Sequence, residues 1–217
     1  MANRRVVLAG ASGLVGSSLL AYLLQDGSVT EVHVLSRRPL DVSHPKLTMQ
    51  LVNFKSLPAL PPVDEIYLAL GTTIKQAGSQ AAFRAVDFEA NLAVAQAGLA
   101  AGATRLGLVS AMGANANASI FYNRVKGELE EALSSLAFQT LIIARPSLII
   151  GDREKLNQPR RLGEKVGVWL SKLFNPLLPM NYKAVDATKI ALALVSEVPM
   201  HQGRRVLLSG EIQSFNT

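Results

Sequence analysis

The chain has no cysteine among its 217 residues. Disulfides and thiolate metal sites are therefore excluded, and a reducing, cytoplasmic compartment is the matching expectation. Histidine is scarce too. His33, His44 and His201 lie far apart without ligand spacing, so no metal site is expected. No run of about 18 uncharged apolar residues occurs, and no membrane span is expected. Met1-Ala2-Asn3-Arg4-Arg5 runs straight into an apolar segment that reads as a strand, so no signal peptide is expected. Basic runs are missing as well: the net charge is +6, yet beyond Arg4-Arg5 the basic doublets are Arg37-Arg38, Arg160-Arg161 and Arg204-Arg205. Without a basic stretch interleaved with aromatics, nucleic-acid binding is not expected. The positive surface is better read as surrounding a site for an anionic cofactor.

What is present is apolar and alternating. Hydrophobic residues make up 49% and charged residues 18%, enough for a sizeable core and too apolar for disorder. Short apolar runs alternate with helical patterns, which predicts an α/β fold, doubly wound around a mainly parallel Rossmann-type sheet. Strands are expected at Arg5–Ala9, Val32–Leu35, Leu47–Val52, Glu65–Leu70, Arg105–Val109 and Thr140–Ala144, with an edge strand at Arg205–Leu208. Helices are expected at Leu14–Leu24 (stopped by Gly27), Ala81–Ala101 (stopped by Gly102), about 121–136 and Asp186–Val195. Residues 1–217 read as one domain. About residues 152–183, with Pro159, Pro176 and Pro179 around the apolar stretch Val166–Phe174, read as a small C-terminal cap on the substrate side.

Gly10-Ala11-Ser12-Gly13-Leu14-Val15-Gly16 lies between the first strand and the first helix. Glycines at 10, 13 and 16 allow a tight turn, close backbone approach to a pyrophosphate and close packing of helix on strand. The helix N-terminus then offers unpaired N–H groups to phosphate. The second strand ends in Ser36-Arg37-Arg38, with no acidic residue for a ribose 2′-hydroxyl. Arginine suits a 2′-phosphate instead, so NADP(H) is expected over NAD(H).

Ser110 ends the fifth strand, and Tyr122-Asn123-Arg124-Val125-Lys126 opens the helix after it. Residues four apart share a helix face, which sets phenol beside ammonium. A free phenol titrates near 10, and a neighbouring cation favours the phenolate, as acid–base work at neutral pH requires. Tyr-x-x-x-Lys is common by chance; its weight comes from its place in a dinucleotide fold.

With these residues the chain resembles the short-chain dehydrogenase/reductase superfamily, in its atypical, extended-type branch. Leu70-Gly71-Thr72-Thr73, Ala77-Gly78-Ser79, Val86-Asp87, Val109-Ser110-Ala111-Met112-Gly113-Ala114, Phe121–Glu128 and Arg145-Pro146-Ser147 narrow the resemblance to the Tat-interacting-protein oxidoreductase group and its bacterial relatives. It covers roughly residues 4 to 165. The resemblance implies a seven-stranded sheet and NADP(H) held by Gly10, Ser12, Gly13, Leu14, Val15 and Gly16 at the pyrophosphate. It places Ser36, Arg37 and Arg38 near the 2′-phosphate, and Leu70, Gly71 and Thr72 along the adenosine and ribose. Tyr122 and Lys126 would border the nicotinamide ribose, and Ser147 the carboxamide. Ser110, Tyr122 and Lys126 would be catalytic, with Ser119 and Thr72 as alternative hydroxyls. Two departures stand out: relatives often carry two serines where this chain has Ser110-Ala111, and Asn53 stands where an acidic residue commonly touches adenine. About 70 residues follow the sixth strand, which implies a small carbonyl or hydroxyl substrate. A second copy of the chain is the candidate partner. Two other functions stay open: a nicotinamide sensor without turnover, and an epimerase or dehydratase.

Overall fold

A computed structural model describes residues 3–151 and 179–216. Seven strands form one parallel sheet: β1 Arg4–Ala9, β2 Val29–Ser36, β3 Leu47–Leu51, β4 Glu65–Leu68, β5 Arg105–Val109, β6 Thr140–Arg145 and, later in the chain, Gly203–Leu208. The spatial order is β3-β2-β1-β4-β5-β6 followed by Gly203–Leu208. The doubly wound α/β fold expected from the alternation is therefore what the chain adopts.

The physical reason is visible along β1. Val6 and Leu8 point into one core with α1 (Leu14–Gln25), whereas Val7 and Ala9 point into a second core with the helix Asn91–Ala100. All four are wholly buried. A strand covered on both faces has no use for polar alternation, hence the continuous apolar run. The order also reverses at β1: the chain moves out to β2 and β3, then returns to β4 beside β1. The crevice at the carboxyl ends of β1 and β4 is thus the topological switch point, where open α/β sheets place ligands.

Two expected helices are modified. α1 stops at Asp26, whose backbone is extended, and not by a left-handed Gly27. Asp26 Oδ1 accepts the Ser28 N–H and hydroxyl, which turns the chain before the glycine is needed. The helix expected over Ala81–Ala101 is broken. After a short α2 (Ile74–Ala77) come α3 (Gln80–Arg84), a π-helical turn (Ala85–Ala90) and α4 (Asn91–Ala100). A π turn frees backbone carbonyls, and here the Asn91 amide donates to those of Val86 and Asp87. Gly102, left-handed at φ 97°, ends α4 as expected.

α5 spans Phe121–Ser134. A two-stranded parallel pair, β7 (Ile149–Ile150) with β8 (Val185–Asp186), then precedes α6 (Ala187–Glu197), the edge strand β9 (Gly203–Leu208) and the short α7 (Ser209–Ile212). Of the expected cap, residues 152–178 lie outside the described residues, including Val166–Phe174. Its end, Met180–Tyr182, is a single 3₁₀ turn.

Candidate functional site

The glycine turn leaves β1 at Gly10, left-handed at φ 96°. A Cβ on Gly10 would lie 2.4 Å from the Ala69 carbonyl carbon at the end of β4, and one on Gly16 would lie 2.0 Å from the Gly10 carbonyl oxygen. Both approaches need glycine. Gly13 differs: its backbone is extended, and its nearest neighbours are only Gly10 O at 3.2 Å and Ala69 O at 3.9 Å. It caps α1 without a side chain, and the first turn of that helix carries no acidic residue. The N–H groups of Leu14, Val15 and Gly16 cannot be bonded inside the helix, because their acceptors would precede it. Leu14 is half-buried, while Val15 and Gly16 are buried.

The turn opens on a cleft of about 230 Å³ lined by Gly10, Ala11, Ser12, Leu35, Ser36, Arg37, Arg38, Pro39, Leu40, Phe54 and Leu70. Sequence residues 36–38 therefore meet the glycine turn in one cavity. Ser36 shapes this corner by donating its hydroxyl to the Arg38 carbonyl at 2.7 Å. Arg37 and Arg38 are exposed and have no carboxylate partner among the described residues. Phe54 carries no motif that would place it here. Asn53, beside it, is exposed and engaged on its own loop, where Oδ1 accepts the Lys55 N–H at 3.0 Å.

From Leu70 the loop continues to the acid–base pair. A Cβ on Gly71 would lie 3.9 Å from Lys126 Nζ. Lys126 is buried on α5 and ion-paired with Asp87 Oδ1 at 2.8 Å, while Asp87 Oδ2 accepts the Thr72 N–H at 2.8 Å. Burial disfavours the ammonium, but Asp87, Tyr122 and Glu130 more than offset it, so Lys126 is held above the usual lysine value. Tyr122, one turn earlier, is half-buried, and its ring packs on Phe83 with centroids 5.5 Å apart. Its hydroxyl has no hydrogen-bond partner among the described residues. The structure thus sets Tyr122 and Lys126 on one face of α5, with Lys126 beside Gly71.

Ser110 faces elsewhere. It is buried and donates its hydroxyl to Glu130 Oε1 at 2.5 Å. Glu130 also accepts from Arg145 Nε at 3.0 Å, so it joins α5 to the ends of β5 and β6. Thr72 contributes its backbone to the pair through Asp87, and its hydroxyl has only a 3.5 Å contact to the Thr73 carbonyl. Ser119 is exposed on the loop before α5. The Ser147 hydroxyl donates to the Lys183 carbonyl at 2.6 Å. Asp87 and Glu130 were assigned no role from the sequence. Glu130 falls at positions i+4 from Lys126 and i+8 from Tyr122, a spacing that places all three on one stripe of α5.

Gly127 explains how a lysine is buried here. A Cβ would lie 2.1 Å from the Asn115 carbonyl carbon and 2.2 Å from the Ala116 nitrogen, so the loop after β5 lies directly on α5. Gly127→Ala is expected to lower the unfolding free energy by about 1–3 kcal/mol or more. A urea titration with an unchanged midpoint would contradict that packing.

Residues 6–119 match the NAD dependent epimerase/dehydratase family. The chain belongs to that family. The protein FMP52 of Eremothecium gossypii is 34% identical over 219 residues, covering 96% of each chain. Among solved structures, Bordetella bronchiseptica WbmH in complex with NAD+ is similar at a TM-score of 0.70 and 16% identity, covering 95% of this chain and 76% of that one. A short chain dehydrogenase family protein of Francisella tularensis gives 0.70 at 14% identity, covering 98% and 100%. These two likenesses concern the fold. The cytoplasmic expectation is overturned: FMP52 of Eremothecium gossypii and its fungal namesakes are named mitochondrial proteins. Cysteine content allowed a reducing compartment but carries no address. No helix among the described residues is long and apolar enough to cross a membrane.

Proposed function

We propose that this member of the family is an NADP(H)-dependent oxidoreductase of the short-chain dehydrogenase/reductase type, acting on a small carbonyl or hydroxyl substrate. One observation carries it: the loop Leu70–Gly71 joins the cleft of the glycine turn and the exposed Arg37 and Arg38 to the Tyr122/Lys126 pair. The narrower resemblance to the Tat-interacting-protein group supports the same reading.

The residues fit a dinucleotide. A Cβ would fill the cradle at Gly10 and Gly16, and the uncapped first turn of α1 directs N–H groups at an anion with no acidic side chain to oppose it. Gly10, Ser12, Gly13, Leu14, Val15 and Gly16 would hold the pyrophosphate; Ser36, Arg37 and Arg38 the 2′-phosphate; Leu70, Gly71 and Thr72 the adjoining ribose. When bound, the nicotinamide supplies or accepts a hydride. Tyr122 moves the proton, giving its phenolic hydrogen to a carbonyl oxygen during reduction and taking it back during oxidation. Lys126 supplies the fixed positive charge that stabilises the phenolate between those events. With the Ser110 hydroxyl engaged by Glu130, Thr72 is the better-placed assisting hydroxyl, since its N–H and Lys126 Nζ share the Asp87 carboxylate.

The same Ser110–Glu130 bond favours the second reading, a protein that binds the nicotinamide dinucleotide and reports on it without turnover. A panel of small carbonyls monitored at the nicotinamide absorbance separates the two: consumption of NADPH supports the enzyme, and binding without consumption supports the sensor. Retention of the cofactor's redox state through turnover would instead indicate an epimerase or dehydratase.

Cofactor choice has its own test. NADPH is expected to bind about ten- to a hundredfold more tightly than NADH, the worth of a charge-assisted pair of roughly 1.5–3 kcal/mol. Changing Arg37 and Arg38 together to alanine is expected to erase most of that difference in a calorimetric titration. Equal wild-type affinities would refute the role given to these arginines.

A further inference from the structure

We propose that Asp87 is a positioning residue of the site, whose carboxylate keeps the Lys126 ammonium charged and fixed against the Gly71–Thr72 loop. The inference rests on the reading of Tyr122 and Lys126 as the acid–base pair.

The geometry is that of a clamp. One Asp87 oxygen pairs with Lys126 Nζ at 2.8 Å and the other accepts the Thr72 N–H at 2.8 Å. Both side chains are nearly sealed from solvent, with relative exposures of 1% for Asp87 and 5% for Lys126. The loop after β4 rests on the pair, since a Cβ on Gly71 would sit 3.6 Å from Asp87 Oδ1. Asp87 is itself held in the π turn, where the buried Asn91 amide donates to the carbonyls of Val86 and Asp87 and to that of Leu70. Turn, loop and α5 are thereby tied at one point.

Fold stability alone does not call for these charges. A buried ion pair replaced by apolar residues of similar volume is often neutral or more stable, whereas removal of one partner leaves an expensive uncompensated charge. The groups that act on Lys126 are Asp87 from the π turn and Tyr122 and Glu130 from its own helix. The β4 loop brings only the uncharged Gly71 and Thr72. Glu130 is already engaged by Arg145 Nε at 3.0 Å, and Arg204 lies 3.7 Å away. Asp87 is therefore the countercharge that offsets desolvation.

The sign of the pH dependence follows. In the wild type Lys126 titrates above its ordinary value. Its stabilising contribution is then present below the unfolded value of about 10.4 and is lost only as pH rises through the raised folded value, so it is constant from about pH 6 to 9. In Asp87→Asn desolvation prevails and the folded value drops below the unfolded one. The buried unpaired ammonium then destabilises fully at low pH, and the penalty shrinks as pH rises through the lowered value.

The test compares the wild type, Asp87→Asn, Asp87→Glu and the double variant Asp87→Asn/Lys126→Met between about pH 6 and pH 9. Unfolding midpoints without dinucleotide are expected to show a constant gap between wild type and double variant. Asp87→Asn is expected to melt below the double variant at pH 6, with the gap closing toward pH 9. Asp87→Glu keeps the charge and is expected to show a pH-independent offset from wild type. NADPH fluorescence titration is expected to give Asp87→Asn an affinity within a few-fold of wild type at pH 6 and at least tenfold weaker at pH 9. The double variant is expected to be weak at both. A constant offset of Asp87→Asn from wild type in both measurements overturns the proposal, because the ammonium would then stay charged without Asp87. If instead the double variant binds NADPH as the wild type does, the acid–base reading of Lys126 fails, and the midpoints still decide the role of Asp87.

Discussion

Replacement of Tyr122 by phenylalanine is expected to lower turnover by about two to four orders of magnitude, the usual worth of general acid–base catalysis, with little change in cofactor affinity. The structure makes this a clean substitution. The Tyr122 ring packs on Phe83, a contact phenylalanine retains. The hydroxyl has no hydrogen-bond partner among the described residues, so its loss strands no donor or acceptor there. Stability should therefore stay near wild type while the proton-transfer group disappears. Lys126→Ala is a poorer probe than its place in the Tyr-x-x-x-Lys spacing suggests. It would leave Asp87 buried without its ammonium, and breaking a buried pair typically costs about 3–5 kcal/mol. A fall in activity would then mix chemistry with unfolding. Steady-state rates of Tyr122→Phe on an accepted carbonyl, measured beside a dinucleotide titration, settle the assignment. A variant that keeps the wild-type rate would leave a dinucleotide site with no acid–base role for Tyr122.

The sheet was legible in the sequence because buried parallel strands have a one-dimensional signature. Val6, Val7, Leu8 and Ala9 are apolar in succession since both faces are covered, and β5 was placed at its exact bounds for the same reason. The glycine turn was legible because its glycines answer to backbone approach: at Gly10 and Gly16 a methyl group has no room. Less could be read where structure depends on partners distant in sequence. The break in the long alanine-rich helix could not be seen in helix propensity. It is stabilised by Asn91, whose amide takes carbonyls freed by the π turn and one from the β4 loop.

The site was legible as a set of residues more than as a set of contacts. Spacing of four put Tyr122 and Lys126 on one face, and that survives. Spacing could not show that Lys126 has a buried carboxylate partner 39 positions earlier in the chain. Nor could strand order tell which way the Ser110 hydroxyl points, because that depends on Glu130 and Arg145 meeting behind β5. Phe54, on the loop after β3, lines the cleft through a tertiary placement that local sequence does not encode.

Two glycines of one turn are expected to fail in opposite ways when changed to valine. Gly13→Val should abolish dinucleotide binding and keep the fold. Its backbone, at φ −80° and ψ 168°, is one that valine adopts readily, and the added Cβ meets the Gly10 carbonyl oxygen at a tight 3.2 Å and the Ala69 oxygen at an ordinary 3.9 Å. The branched methyl groups would instead stand at the mouth of α1, where the backbone must approach a pyrophosphate. Gly16→Val should damage the fold itself. Its Cβ would sit 2.0 Å from the Gly10 oxygen and 2.6 Å from the Gly10 carbonyl carbon, so α1 must move away from β1. Those contacts are backbone and cannot rotate aside. Overpacking of this kind costs about 1–3 kcal/mol and often more when the obstacle is main chain. Unfolding curves without ligand should show Gly13→Val close to wild type and Gly16→Val well below it, while NADPH titration should find no saturable binding to either. Wild-type affinity in Gly13→Val would mean that the dinucleotide does not lie on this turn. Wild-type stability in Gly16→Val would mean that α1 does not pack against Gly10.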